Sequence, residues 1–385
     1  MATEGPLNVL IAGGGVAGLE AALALRELAG DRVTMTLLAP NREFVYRPLR
    51  VREPFAGPKT VSYPLRQITD DIGVRLRADA LKWLDPEAHV VHTDGGDRIP
   101  YDALLLALGA RVRPRYRHAL TIDDRVIDEQ LHGLVQDIEA GYVHKLAFVS
   151  PRPMPWPLPL YELALLTAHR AYEMNEGVSI TLITPEDAPL AVFGEPASQA
   201  VSATLKEAGI LVLTSTHVEV PATGEVVLYP GGHSLWVDRV IALPELFGPS
   251  TPGVPKCDGH GFISVDAECR VHDLPGVFAA GDATDYELKH GSIAAHQADV
   301  AATGIARMAG APVPQARFAP ELHGILLGGP EPLYLSAHAT GHHGSESSVR
   351  ERPEWSPRSK IAARHLAPYL EALDLRLSGE TASRS

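Results

Sequence analysis

The sequence predicts an α/β fold: two Rossmann-like three-layer domains followed by a small C-terminal α+β cap. Three observations predict it. The stretch LNVLIAGGGVAGLE, Leu7 to Glu20, is an apolar run, three glycines at GxGxxG spacing and an Ala/Leu-rich run, the sequence form of strand, tight turn and helix. A second strand–helix alternation begins at Lys145. An apolar strand, Val277 to Ala280, later runs into Gly281-Asp282 and returns the chain to its first sheet.

The first turn reads as dinucleotide-binding. Gly13 permits the turn, Gly15 lets bare backbone reach a pyrophosphate, and Gly18 lets helix and strand pack closely, with Val16 and Ala17 opening the helix whose N-terminus favours anions. The second strand, Arg32 to Leu38, ends at Ala39-Pro40-Asn41, where an acidic residue would normally hold a ribose. None is present. Asn41 or Arg42 offers a substitute amide or guanidinium. A helix-like pattern over Tyr63 to Ile72 precedes strands near Val74 to Leu76 and Ala80 to Leu84, then a hairpin turning at Asp94-Gly95-Gly96. Tyr101 to Pro114 gives a fully apolar strand ending at Gly109.

A polar break at Arg115 to Asp124 leads to an amphipathic helix, about Val126 to Glu139, and then to the second unit. Strands at Lys145 to Ser150, Ser179 to Thr184 and Gly209 to Thr214 alternate with helices at Tyr161 to Asn175 and Pro196 to Ala208, and strands at Glu225 to Tyr229 and Leu235 to Leu243 finish it. Past Gly281, a helix spans Ser292 to Met308. The tail holds a strand at Pro332 to Ser336, a polar loop from His338 to Ser348 and a helix around Lys360 to Leu373 that Pro368 interrupts or starts late. The expected domains are residues 1–125 and 255–315 for the first sheet, 126–254 for the second, and 316–385 for the cap.

Composition narrows the class. The chain has 385 residues, 45% apolar and 21% charged, enough for two or three cores. A formal charge of −13 disfavours nucleic acid or an anionic membrane as main partner. No signal-peptide pattern opens the chain and no apolar run is long enough to cross a bilayer, so the sequence reads as cytoplasmic with no integral membrane segment. A homo-oligomer is compatible with it. Cys257 and Cys269 fit no CxxC or zinc pattern and read as unpaired thiols. His338, His342 and His343 lack an Asp, Glu or Cys at ligand spacing, so no metal is expected.

Three motifs in order, GGGVAG at Gly13, LALGA at Leu106 to Ala110 and GVFAAGDAT at Gly276 to Thr284, resemble the FAD-dependent pyridine nucleotide-disulfide oxidoreductase superfamily over nearly the whole chain. FVYRPL at Phe44 to Leu49, KHGSIAAHQAD at Lys289 to Asp299 and the lack of paired active-site cysteines are most similar to the branch with type II NADH dehydrogenases and sulfide:quinone oxidoreductases. The resemblance implies FAD as cofactor. It implies that Gly13, Gly15 and Gly18 hold the ADP part, that the Leu81 backbone lies near the adenine, and that Ala107 and Gly109 flank the pyrophosphate. Asp282, after Gly281, would bond the ribitol. Tyr46, Arg47 and Pro48 would face the flavin ring, and Gly291 and Ser292 would aim N–H groups at O2 and N1, favouring the reduced anionic flavin by about 0.3–2 kcal/mol. Lys289 and His290 precede that helix, and Lys289 is a candidate catalytic residue near the ring, with a solvated turn as its plainer reading.

The pattern breaks in the second domain. Relatives that oxidise NADH carry a second GxGxxG after its first strand, whereas SPRPMPWPLPLYELALL, Ser150 to Leu166, has no glycine. Pro155, Pro157 and Leu160 stand at the glycine positions, and proline brings a ring and no N–H donor. Glu186, at the end of the domain's second strand, reads as solvent-facing rather than ribose-binding. Glu162 aligns with a helix Glu that lies near the flavin in relatives. Buried by Trp156 and Tyr161 it would exchange protons with flavin or quinone; otherwise it serves the helix dipole.

The expected activity is therefore FAD-dependent transfer of two electrons from a small-molecule donor, NAD(P)H among the candidates, to a quinone-like or other small acceptor. Two alternatives stand beside it: a non-nicotinamide donor bound at the Pro/Trp-rich loop, and a flavin-binding module with little turnover. Sulfide oxidation and disulfide reduction are disfavoured, because neither cysteine sits at the required position.

Overall fold

The computed structural model describes residues 5–55, 57–123, 126–151, 155–255, 259–340, 343–357 and 359–382. The chain opens with β1 (Leu7–Ala12), α1 (Val16–Ala29), β2 (Val33–Leu38), α2 (Leu65–Asp71), β3 (Arg75–Arg77) and β4 (Ala103–Leu106). After β5 (Leu120–Thr121) and α3 (Ile127–Glu139) come β6 (Lys145–Val149), α4 (Leu158–Glu173), β7 (Ser179–Ile183), α5 (Glu195–Glu207), β8 (Leu211–Leu213) and β9 (Arg239–Ala242). Then follow β10 (Val277–Ala279), α6 (Gly291–Met308), β11 (Glu321–Leu326), β12 (Leu333–Thr340), β13 (His343–Arg350) and α7 (Leu366–Ala382).

The two halves repeat one plan. The first five-stranded sheet runs β10-β4-β1-β2-β3 and the second β5-β9-β6-β7-β8, with every pairing parallel. Each half also inserts a three-stranded antiparallel meander before its last repeated strand, residues 81–100 in the first and 217–236 in the second. This equivalence sets the turn between β6 and α4 against the glycine turn between β1 and α1.

Side chains alternate across each sheet. Val9 and Ile11 of β1 face α1, α6 and α7, while Leu10 and Ala12 face Leu84 and Val91 of the meander. In the second sheet Leu146 and Phe148 face the helices, and Ala147 and Val149 face Val218 and Val226. Helices α1 and α6 line their contact with Ala17, Ala21, Ala294 and Ala298, so the two backbones approach closely over the carboxyl ends of β1 and β10.

Three expectations need correction. The segment expected as a loop from His338 to Ser348 instead falls, over its described residues, in β12 and β13, which pair antiparallel in the cap. The expected strand Leu235–Leu243 is two: His233–Trp236 ends the meander, and β9 joins the parallel sheet. Asp238 makes the break, its Oδ2 accepting the N–H groups of His144 and Lys145 at 2.8 Å each. The final helix begins at Leu366, with Pro368 in its first turn where no intrahelical N–H bond is lost. Leu366, Leu370 and Leu373 of α7 are buried in the first core, and no helix among the described residues is long and apolar enough to cross a membrane.

Candidate active site

The two equivalent turns decide what each half can hold. Gly13 adopts φ +121° so close to the neighbouring strand end that a Cβ would lie 2.0 Å from the Ala107 carbonyl oxygen. A Cβ on Gly18 would lie 1.9 Å from the Gly13 carbonyl oxygen. Gly15 differs: it is exposed, it caps α1, and a Cβ would meet no protein atom within 4 Å. The protein's own packing requires the first and third glycines, while the second stands in open space beside the first N–H groups of α1, where an anion is favoured.

Other motif residues gather around that space. Gly281, at φ +77°, is wedged so that a Cβ would lie 3.2 Å from Ala17 Cβ and 3.3 Å from Ala294 Cβ, and its N–H donates to Gln297 Oε1 at 2.8 Å. Ala107 and Gly109 follow β4, Gly281 and Asp282 follow β10, and Val16 and Ala17 start α1, all at the carboxyl ends of the first sheet. Asn41 and Arg42 follow β2 and are exposed. Leu81 is half-buried against the sheet face that carries Ala12, Leu38 and Leu106.

The far end of the site is assembled by the C-terminal segment. Tyr46 is buried, and its Oη accepts the Ile361 N–H at 2.9 Å. Ile361 also covers Gly291, where a Cβ would lie 2.8 Å from Ile361 Cγ1. Arg47 is exposed, whereas the Pro48 carbonyl accepts from Lys360 Nζ at 3.0 Å. That same ammonium stands 2.6 and 2.8 Å from the two oxygens of Glu162, which also accepts the Leu327 N–H at 3.0 Å. Glu162 and Lys360 are both buried. Burial raises the Glu162 carboxyl and lowers the Lys360 ammonium from their ordinary values, each partly offset by the other's charge. Lys360 has no motif around it. Its signal in the sequence is one cation before an apolar helical run, which is common on any surface.

The second turn is built differently. Helix α4 starts three residues earlier than expected, at Leu158, with Pro157 as its cap and Pro159, which has no N–H, in its first turn. Fully buried Tyr161 donates from Oη to Glu186 Oε2 at 2.6 Å, and Thr184 Oγ1 donates to the same oxygen at 3.0 Å. Glu186, expected to face solvent, is turned inward, and burial pushes its carboxyl up to about 7. The Pro155 carbonyl accepts the Lys289 N–H at 3.1 Å and Trp156 packs at a tilt against the His290 ring, 3.9 Å between centroids, so the segment rests on the start of α6.

Lys289 is buried and spends its ammonium on the carbonyls of Thr284 and Tyr286, over the face of Phe262. The arrangement braces the loop before α6. The Ser292 N–H donates to His290 Nδ1 at 3.3 Å, closing the cap of α6. Cys269 is buried and its thiol is pushed up to about 12, chiefly by burial. Cys257 and His342 lie outside the described residues, and His338 pairs with Glu346 at 3.3 Å. One trio the sequence did not suggest, Glu20, Asp299 and His365, brings ligand-type atoms within 4.8 Å of one another. Its evident work is structural, since Glu20 accepts the N–H groups of His365 and Leu366 where α7 begins.

The pyridine nucleotide-disulphide oxidoreductase family matches residues 7–139 and 162–298. The chain belongs to this family. It is a flavin-dependent oxidoreductase of that kind, and the interval between the matched stretches, 140–161, holds β6 and the proline-rich turn. Among curated relatives, the oxidoreductase ptaL of Pestalotiopsis fici is 24% identical over 375 residues, covering 88% of this chain and 92% of that one. A sulfide-quinone reductase of Aquifex aeolicus is 29% identical over 107 residues, only 27% of this chain and 25% of that protein. In fold, the chain is similar to the Aquifex aeolicus sulfide:quinone oxidoreductase, with a TM-score of 0.79 at 20% identity over 90% of this chain and 87% of that one. A ferredoxin reductase of Rhodopseudomonas palustris gives a TM-score of 0.67 at 20% identity over 86% and 82%.

Proposed function

We propose that the protein is an FAD-dependent oxidoreductase that passes two electrons from a small donor other than NAD(P)H to a quinone-like or other small acceptor. The outward-facing Gly15 cradle supports FAD, with Gly13, Val16, Ala17, Gly18, Ala107 and Gly109 around the pyrophosphate and Asn41, Arg42 and Leu81 toward the adenosine. Gly281 and Asp282 would hold the ribitol, and Tyr46, Arg47, Pro48, Gly291 and Ser292 would frame the ring. Bound flavin supplies the two-electron chemistry. For proton transfer the protein offers Glu162, whose carboxylate stands 2.6 Å from Lys360 Nζ in a buried pair beside the Pro48 carbonyl. Lys289 braces the loop before α6.

One observation carries the choice of donor. The segment in place of the second glycine turn lies on Lys289 and His290, and the carboxylate at the ribose position is engaged by Tyr161. These contacts, with prolines that have no N–H at 155, 157 and 159, speak against a pyrophosphate grip of the usual kind at this turn. Anaerobic mixing tests this: dithionite is expected to bleach the flavin absorbance, and NADH and NADPH to leave it unchanged. Fast bleaching by either nucleotide would overturn the choice.

A further inference from the structure

The buried histidine at the start of α6 has a fixed tautomer. The Ser292 N–H donates to His290 Nδ1 at 3.3 Å, and Ser292 Oγ stands 2.7 Å from the same nitrogen. The hydroxyl's other contacts are the incoming His323 N–H at 3.3 Å and the Glu321 carbonyl at 3.5 Å. The shortest of these takes the hydroxyl proton, so Oγ donates to Nδ1 and accepts from His323. A nitrogen that accepts twice carries no proton; the imidazole proton is therefore on Nε2. Among the described residues no protein acceptor is paired with Nε2. Burial lowers the ring to about 3, with the charges of His323 and Lys360 acting in the same direction, so the ring is neutral at working pH.

The ring's plane is fixed as well. Trp156 lies against it at a tilt, 3.9 Å between centroids with 39° between planes, and Phe193 meets Trp156 edge-on at 6.3 Å. Lys360 is near enough for its charge to act on His290, and Lys360 binds both Glu162 and the Pro48 carbonyl. The imidazole, the Glu162–Lys360 pair and the Tyr46–Pro48 wall thus belong to one site. We propose that His290 is the fixed hydrogen-bond donor of the reactant pocket, its Nε2–H seating a planar reactant by a carbonyl or anionic oxygen with Trp156 as an aromatic wall. The proposal rests on the flavin site proposed above. His290 keeps its proton throughout, and proton transfer is left to Glu162 and Lys360. The proline-rich turn gains a purpose on this reading: it delivers Trp156 to the histidine.

Two measurements on the FAD-loaded protein test it. In histidine-selective 15N NMR, with the signals identified by their loss in His290→Phe or His290→Gln, His290 is expected as the Nε2–H tautomer with no titration from pH 5 to 8. An Nδ1–H or titrating ring overturns the proposal. In anaerobic stopped flow, dithionite-reduced protein is reoxidised by menadione, which offers carbonyl oxygens, or by ferricyanide, which needs no seat. His290→Phe is expected to lower the ratio of menadione to ferricyanide rate constants about tenfold, the worth of one hydrogen bond, and His290→Gln to restore part of it. An unchanged ratio, or a wild-type protein that menadione fails to reoxidise saturably, overturns the proposal. Failure to retain FAD would instead sink the functional reading, and the NMR result on the flavin-free protein still decides the tautomer.

Discussion

Glu162 and Lys360 stand 198 positions apart in sequence and 2.6 Å apart in space. Removing one partner of a buried pair strands the other, so Glu162→Gln is expected to cost about 3–5 kcal/mol in chemical denaturation, and the double variant Glu162→Gln/Lys360→Met to recover most of it. The same single variant should slow turnover about 10²-fold if the carboxyl moves protons. Two other residues set opposite pH limits. Glu186, raised to about 7 from an ordinary 4.5, binds its proton more tightly folded than unfolded; its contribution is complete below 4.5 and fades as pH rises toward 7. His290, lowered to about 3 from 6.5, contributes fully above 6.5 and loses that contribution as pH falls toward 3. Urea midpoints against pH should therefore fall on both sides of a maximum. Glu186→Gln should flatten the alkaline side, and His290→Gln the acid side.

Among the elements, the glycine turn gives the sharpest contrast. Gly15→Ala meets no protein atom and should fold normally, with an unchanged melting temperature without flavin, yet hold FAD weakly. Gly18→Ala and Gly13→Ala run into backbone carbonyls and should instead yield misfolded or unstable protein. The packing roles of Gly13 and Gly18 were legible from spacing because the turn is local, and so was the repeated strand–helix grammar. What was hidden had physical reasons. The start of β12 was legible, but β13 (HGSESSVR) is rich in Ser, with Gly and His, so no apolar alternation marks it as a strand. The strand break at Asp238 depends on N–H groups at His144 and Lys145, far earlier in the chain. The cap of α7 is likewise remote: Glu20 lies 345 residues before His365, and Glu20→Gln should lower stability by about 1–2 kcal/mol by weakening it.

At the scale of the molecule, the first sheet is not finished until β10 pairs with β4 and α6 covers α1. A chain ending after residue 254 lacks both, and equilibrium dialysis should find no FAD bound to it. The two-sheet plan was legible in the sequence, whereas the junction between the parts was not, because it is made by Lys360 and Ile361 rather than by any motif. On the proposed reading that junction lies beside the flavin ring, with Ile361 tied to Tyr46 and pressed on Gly291. A segment some three hundred residues after the glycine turn would then cover one side of the cofactor. Flavin release would then require the Ile361 contacts with Tyr46 and Gly291 to open first, so that cofactor exchange would be slow and set by that opening.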